Sequence, residues 1–249
     1  MIKSYSERHP YIASILIALL CTFITALGSA VSQNIGLDEE QQITVITAFL
    51  VVSVVVGLIL MKKSRFTLSE YGFRKNHIES VGKVGWFIPL VVIEILPIAF
   101  AGLSSEIKGL QYINLLFFVI AVGFNEEIYF RGLAFKFMKE KGTKNAIIGT
   151  SILFGVLHLA NAFNGKDLFY VILQIIFAFL VGFVLAEIVS ITKSLWVAII
   201  WHASHDYISS ITGDLLNTKE LIILAVQVAV LIIYAFILWK SSKLEDKVK

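Results

Sequence analysis

Apolar runs of about membrane-crossing length follow one another along almost the whole chain. A helix needs about 20 mostly apolar residues to cross the hydrocarbon core of a bilayer. Eight stretches meet this requirement: residues 11–30, 43–61, 84–103, 112–138, 143–163, 168–191, 195–211 and 219–240. The pattern therefore predicts an all-α membrane protein, a polytopic bundle of about eight transmembrane helices.

No change of composition divides these runs. The sequence between them contains no linker rich in proline, glycine or serine, and no internal repeat. We therefore expect residues 1–249 to form a single integral-membrane domain. A cleaved signal peptide is the alternative for the first run, because the small residues "GSA" follow at 28–30. The apolar run is longer than the roughly 7–15 residues of a signal peptide, which favours a retained helix.

Basic residues lie mainly on one side of the predicted spans. If the N-terminus is cytoplasmic, 17 lysines and arginines lie in inner segments, and only Lys108, Lys166 and Lys219 lie in outer ones. Cytoplasmic loops carry such an excess of positive charge. We therefore expect both termini in the cytoplasm. We expect an integral, multi-pass membrane protein, located in the plasma membrane if the source is bacterial.

Composition supports the membrane assignment and limits the partners. The chain is 57% hydrophobic and 16% charged, with a mean hydropathy of +0.83 and a net charge of +3, against roughly 25% charged residues in soluble domains. No basic patch is available for a polyanion, so we expect no nucleic-acid partner. The single cysteine, Cys21, excludes a disulfide framework and a cysteine-rich zinc site. The sequence does not predict the oligomeric state.

The fourth run contains three charged residues in "GFNEEIYFRG", residues 123–132. A charge at the centre of a membrane helix costs about 2.5–3.5 kcal/mol, so Glu126, Glu127 and Arg131 must face protein or water. At about 100° per residue, Glu127 and Arg131 are helical neighbours that can pair, whereas Glu126 points elsewhere. A buried ion cluster that only fixes packing is the alternative. Buried ion pairs stabilise weakly, which favours a functional site.

Two later runs carry histidines. His158 lies in "LFGVLHLAN", and His202 forms a helical i,i+4 pair with Asp206 in "SLWVAIIWHASHD". Carboxylates and imidazoles together suit the activation of water and the stabilisation of an oxyanion, hence hydrolysis. We expect Glu126 to point at His158. No serine nucleophile accompanies the set, because Ser204 faces about 160° away from His202.

Metal-dependent hydrolysis is the alternative to hydrolysis without a cofactor. Glutamate and histidine bind zinc, and a metal-dependent enzyme would use Glu126, His158 and His202. The sequence has no His-Glu-x-x-His motif, so zinc is weakly indicated. Two further residues are assigned to the periphery: His205 as a polar neighbour of the site, and Glu94, near Pro97, as a structural or gating residue.

These residues resemble the CPBP intramembrane proteases, which include the type II CAAX prenyl endopeptidases and the bacterial Abi proteins linked to bacteriocin processing and self-immunity. The motif Glu-Glu-x-x-x-Arg matches "EEIYFR" at 126–131. The motif Phe-x-x-x-His matches "FGVLH" at 154–158, and His-x-x-x-Asn or Asp matches "HASHD" at 202–206. All three occur in the family's order, inside a motif core of about 112–211.

The resemblance implies a glutamate-type intramembrane endopeptidase that cuts a membrane-associated peptide or protein. In that reading Glu126, helped by His158, activates water, and His202 with Asp206 holds the oxyanion. Glu127 and Arg131 would orient the base. The prenyl endopeptidases have asparagine where this chain has Asp206. An ionised Asp206 would repel an oxyanion, so it either orients His202 or is protonated.

Two other functions fit parts of the pattern. A proton-coupled transporter would use Glu126 and Glu127 for coupling, although the paired inverted repeats of such proteins are not visible. A non-hydrolytic membrane protein of the bacteriocin-immunity type would keep the fold without turnover. The complete set of motifs favours the endopeptidase.

Overall fold

The computed structural model describes residues 5–75, 78–164, 167–212 and 218–245, and every regular element in these ranges is helical. In chain order the α-helices are α1 (Tyr5–Arg8), α2 (Pro10–Asn34), α3 (Glu39–Lys63), α4 (Ile78–Lys83), α5 (Ile88–Ala101), α6 (Gln111–Glu127), α7 (Phe135–Lys139), α8 (Thr143–Leu157), α9 (Leu168–Thr192), α10 (Trp196–Thr212) and α11 (Thr218–Glu245). Two 3₁₀ segments, Gly85–Phe87 and His158–Asn164, and one π-helical segment, Ile128–Ala134, join some of them.

Within the described ranges, six helices are long and apolar enough to cross a membrane. They are Pro10–Asn34, Glu39–Lys63, Gln111–Lys139, Thr143–Ala162, Leu168–Thr192 and Leu221–Lys240. All eight predicted runs contain a helix, and the all-α polytopic class is confirmed. The third and seventh runs, however, form shorter helices, α5 with 14 residues and α10 with 17.

The short length of α5 has a local cause at each end. Phe87, just before it, has a φ of 60°, and Gly102, just after it, has a φ of 73°. Both angles lie in the left-handed region, where an α-helix of L-residues cannot continue. At 1.5 Å per residue, 14 residues span about 21 Å, less than the roughly 30 Å of a hydrocarbon core. The hydropathy of residues 84–103 does not indicate that the helix is shortened at both ends.

The helices pack into a bundle with an apolar exterior. Helix α8 packs along α9, α6 along α10 and α3, α2 along α3, and α11 along α9 and α5. Large apolar side chains face outward on the peripheral helices, for example Phe23, Phe100 and Phe236, each more than 60% exposed. This distribution is typical of a protein surrounded by lipid. Cys21 is buried, as expected for a small apolar residue.

A π-helical segment follows the two glutamates directly. Residues Ile128–Ala134 continue α6 into α7 without a break, and all seven are buried. The hydroxyl of Tyr129 donates to the carbonyl oxygen of Ser53 on α3 at 3.0 Å, which holds the segment in the bundle. Short π-helical turns occur frequently at functional sites. Glu126 and Glu127 therefore lie directly before an irregular turn, near the middle of the membrane-length helix Gln111–Lys139.

Candidate active site

Glu127 lies at the centre of a buried ion cluster. Its Oε1 accepts a hydrogen bond from Arg131 Nη1 at 2.9 Å and lies 2.8 Å from His202 Nδ1. The side chains of Glu127 and Arg131 are fully buried, and that of His202 is 7% exposed. The predicted Glu127–Arg131 pair is therefore present. Its contact with His202 on α10 was not predicted, because sequence spacing does not tell which helices face each other.

Phe154 of α8 packs against the charged cluster. The guanidinium carbon of Arg131 lies 4.1 Å from the centre of the Phe154 ring, within cation–π range. The same ring makes edge-on contacts with His158 and His202, at centroid distances of 4.9 and 5.8 Å. The phenylalanine of the second motif thus contacts residues of all three motifs.

The second nitrogen of His202 faces two further carboxyl groups. His202 Nε2 lies 3.7 Å from Glu126 Oε2 and 3.6 Å from Asp206 Oδ2. Both distances exceed those of direct hydrogen bonds, so His202 Nε2 is not bonded to either carboxyl group and can donate to a third oxygen atom. The side chains of Glu126 and Asp206 are 23% and 31% exposed, in contrast to the fully buried Glu127. The Oε2 atom of Glu126 has no hydrogen-bond partner in the described part of the chain.

His158 begins the 3₁₀ segment that follows α8. Its Nδ1 lies 2.7 Å from the carbonyl oxygen of Phe154. A carbonyl oxygen only accepts, so this contact requires a proton on Nδ1 and leaves Nε2 as the acceptor of a neutral ring. Glu126 and His158 line one cavity of about 420 Å³. Glu126 thus shares a cavity with His158, as expected, but its carboxylate lies 3.7 Å from His202 and not in contact with His158.

A second cavity lies on the other side of Phe154 and His158. It has a volume of about 340 Å³, and its walls include His158, His202 and Asp206 together with residues of α5, α9 and α11. Phe154 and His158 line both cavities. The six predicted site residues therefore lie either in the buried cluster around Glu127 or on the walls of two adjoining cavities.

The zinc alternative requires three ligand side chains that lie close together. Among the residues that the structure describes, no three histidine, cysteine, aspartate or glutamate side chains converge closely enough to hold a metal ion. This includes the set Glu126, His158 and His202, which the zinc alternative requires.

Two polar contacts beside the site could not be predicted from the sequence. Asn161 donates to Gln174 Oε1 at 2.9 Å, and His205 Nδ1 lies 3.0 Å from Glu94 Oε1. Ser204 is exposed, which agrees with its predicted orientation away from the site. The His205–Glu94 contact joins α10 to α5. Each of the two residues had been assigned to the periphery separately, and no spacing in the sequence links them.

Comparison with known proteins locates the family resemblance in the same region. Residues 108–208 match the family described as Rce1-like, type II CAAX prenyl endopeptidase. No curated protein gives a significant match to the chain. The matched range contains all six predicted site residues.

Proposed function

Because residues 108–208 match the Rce1-like family, described as type II CAAX prenyl endopeptidase, we propose that the chain cleaves a peptide bond with water activated by Glu126. One observation carries the proposal. Of two adjacent glutamates, Glu127 is fully buried and held by Arg131 and His202, whereas Glu126 is 23% exposed, lines a cavity, and has no hydrogen-bond partner for its Oε2 among the described residues. A carboxylate with a free oxygen in a cavity can accept a proton from water.

The proposed reaction begins with water between Glu126 and His158. Both residues line the 420 Å³ cavity, so one water molecule can donate to Glu126 and to the acceptor nitrogen of His158. As the water oxygen bonds to the scissile carbonyl carbon, its proton passes to Glu126. The carbonyl π-electrons move onto oxygen, which gives a tetrahedral intermediate with a negative charge.

His202 is the proposed donor to that oxyanion. Its Nδ1 is directed at Glu127, so its Nε2 points towards Glu126 and Asp206. When both ring nitrogens carry protons, Nδ1 donates to Glu127 and Nε2 donates to the oxyanion. Donors of this kind contribute about 10²–10³ in turnover. The intermediate then collapses, the carbon–nitrogen bond breaks, and Glu126 returns its proton to the leaving amine.

Asp206, Glu127 and Arg131 are proposed as positioning residues. The 3.6 Å distance between Asp206 Oδ2 and His202 Nε2 supports the interpretation in which Asp206 orients the ring. Glu127 holds the opposite side of the ring, and Arg131 balances the charge of Glu127. The side chains of Glu127 and Arg131 are fully buried, and neither residue lines the two cavities that Glu126, His158 and His202 line.

The substrate is proposed to be a membrane-associated peptide or protein. The site lies within an integral, multi-pass bundle, and each of the two adjoining cavities is lined in part by helices long enough to cross a membrane. The family to which the chain is similar is described by its action on prenylated CAAX substrates. We therefore choose farnesylated CAAX peptides and their unprenylated counterparts as first probes.

The test is cleavage of these peptides by purified, reconstituted protein. We expect Glu126→Gln to lower turnover by about 10²–10⁴, as for loss of a general base, and His202→Asn by about 10²–10³. Ser204→Ala, next to the site but exposed, is the matched control and should cleave at the wild-type rate. If Glu126→Gln, His158→Asn and His202→Asn all cleave like wild type, the site is wrong. Loss of wild-type activity on chelation, restored by zinc, would overturn the metal-free reaction.

A further inference from the structure

His205 is held in one orientation by three neighbours. Its Nδ1 lies 3.0 Å from Glu94 Oε1 on α5. Its ring stacks on Trp201, with centroids 5.0 Å apart and an interplanar angle of 14°, and on Phe177, at 5.2 Å and 28°. The two aromatic rings fix the plane of the imidazole. Glu94 then fixes which nitrogen is engaged.

The contact with Glu94 is not needed to attach α5 to the bundle. Trp201 Nε1 donates to the carbonyl oxygen of Leu90 at 3.2 Å. Pro97 has no N–H, so the carbonyl oxygen of Ile93, four residues earlier, lacks its helical donor. The amide of Gln227 on α11 donates to that oxygen at 3.1 Å. Helix α5 is therefore held to α10 and to α11 by bonds that do not involve Glu94.

Burial of the Glu94 carboxyl group costs free energy, and the attachment of α5 to the bundle does not explain why this cost is tolerated. The side chain of Glu94 is 12% exposed, and its Oε2 has no hydrogen-bond partner among the described residues. Removing a carboxylate from water is unfavourable unless its charge is used or compensated. Here the compensating group is the imidazole of His205. Charge on one member of the pair is therefore balanced by the other.

His205 also lies on a wall of the cavity that adjoins the proposed active site. It lines the 340 Å³ cavity together with His158, His202 and Asp206. It follows His202 by three residues on α10, so the two side chains are neighbours on one helix face. With Nδ1 engaged by Glu94, Nε2 is the polar atom of the ring that remains for a ligand in this cavity.

We propose that His205 is a substrate-binding residue whose Nε2 donates a hydrogen bond to a main-chain oxygen of the bound peptide. Glu94 is the positioning residue that orients the ring and balances its charge. The oxygen belongs either to a peptide carbonyl or to the terminal carboxylate of the substrate. This inference rests on the proposed endopeptidase function, because it assumes that the 340 Å³ cavity receives peptide.

Binding to a cleavage-deficient protein tests the inference separately from turnover. The probes are a fluorescein-labelled, farnesylated peptide with a C-terminal CAAX sequence and the same peptide with a terminal carboxamide. Their dissociation constants are measured by fluorescence anisotropy with reconstituted Glu126→Gln protein, with and without His205→Gln. A hydrogen bond to a charged group contributes about 1.5–3 kcal/mol, so we expect His205→Gln to weaken binding about 10- to 100-fold.

Two further variants separate binding from structural support. Glu94→Gln keeps a polar partner for His205 but removes the charge, and we expect it to weaken binding by less than His205→Gln does. Tyr234→Phe removes a bond from α11 to the carbonyl oxygen of Val84, just before α5, does not line the 340 Å³ cavity, and should bind the peptide like its parent. If Tyr234→Phe weakens binding as much as His205→Gln does, His205 only connects helices and the inference fails.

The two peptides identify the oxygen. If His205 holds the terminal carboxylate, the carboxamide binds less tightly than the acid, and His205→Gln removes that difference. If it holds a carbonyl, His205→Gln weakens both peptides by the same factor. Unchanged binding of both peptides, or no binding to the parent protein, overturns the inference.

Cleavage by the wild-type protein keeps the two proposals apart. If wild type does not cleave but binding still depends on His205, only the endopeptidase proposal fails. If wild type cleaves and His205→Gln has an unchanged KM, only the role of His205 fails. Should His205→Gln protein not fold, as judged by its elution volume and unfolding transition, Glu94→Gln and His205→Asn provide the same comparison.

Discussion

Replacement of Arg131 by methionine should destabilise the protein more than any surface ion-pair substitution. The change removes the guanidinium and leaves Glu127, which is fully buried, with His202 as its remaining charged neighbour. At the observed 2.9 Å and an effective dielectric constant of about 20, the lost Coulomb attraction is about 6 kcal/mol. Part of this is offset, because the arginine no longer has to be removed from water.

The expected net effect of Arg131→Met is therefore a loss of about 3–5 kcal/mol in the free energy of unfolding. The double variant Glu127→Gln, Arg131→Met should recover part of that loss, because it removes both charges. We expect a coupling energy of about 2 kcal/mol or more, within the range for residues in direct contact. Equilibrium unfolding in mixed micelles with increasing denaturing detergent measures all three variants.

Arg65→Met is the matched control for this experiment. Arg65 pairs with Glu7 and Glu140, but its side chain is 56% exposed. Exposed ion pairs contribute about 0–1 kcal/mol, so we expect a loss in that range. Additive effects of Glu127→Gln and Arg131→Met, or a loss for Arg131→Met no larger than for Arg65→Met, would refute the reasoning that the buried pair holds this part of the bundle.

Two further substitutions test the packing around the site by the same unfolding measurement. A Cβ at Gly155 would lie 3.0 Å from the backbone oxygen of Ile175, so Gly155→Ala should force α8 and α9 apart at a cost of about 1–3 kcal/mol. Gly82→Ala, which would meet nothing within 4 Å, is its control and should cost nothing measurable. Tyr129→Phe removes the hydrogen bond to Ser53 and should cost about 0.5–1.5 kcal/mol; an unchanged transition would mean that this bond does not hold the π-helical segment.

The fold class could be predicted because a bilayer imposes its requirements on composition. Every spanning helix must be apolar over a fixed length, so hydropathy alone locates the six long helices. It does not detect the left-handed conformations of Phe87 and Gly102, which limit α5 to 14 residues. It also does not detect the π-helical turn after Glu127, because the backbone pattern there depends on contacts with other helices.

The sequence supplies the candidate residues of the site, but not most of their contacts. The pairing of Glu127 with Arg131 follows from local helix geometry and is present. The contact between Glu127 and His202 joins residues 75 positions apart, and it depends on which face of α10 packs against α6. The same is true of Glu94 and His205. Polar residues in apolar runs thus identify candidates, whereas the partners require the packed bundle.

The central claim is that two adjacent glutamates have different tasks, and a paired comparison of Glu126→Gln with Glu127→Gln tests it most directly. Turnover of a cleavable peptide and the free energy of unfolding are measured for both variants. We predict that Glu126→Gln lowers turnover by about 10²–10⁴ with a change in stability below about 1 kcal/mol. Glu127→Gln should destabilise the protein by about 3–5 kcal/mol, because the buried charge of Arg131 loses its partner. Turnover by Glu126→Gln at the wild-type rate would contradict the account.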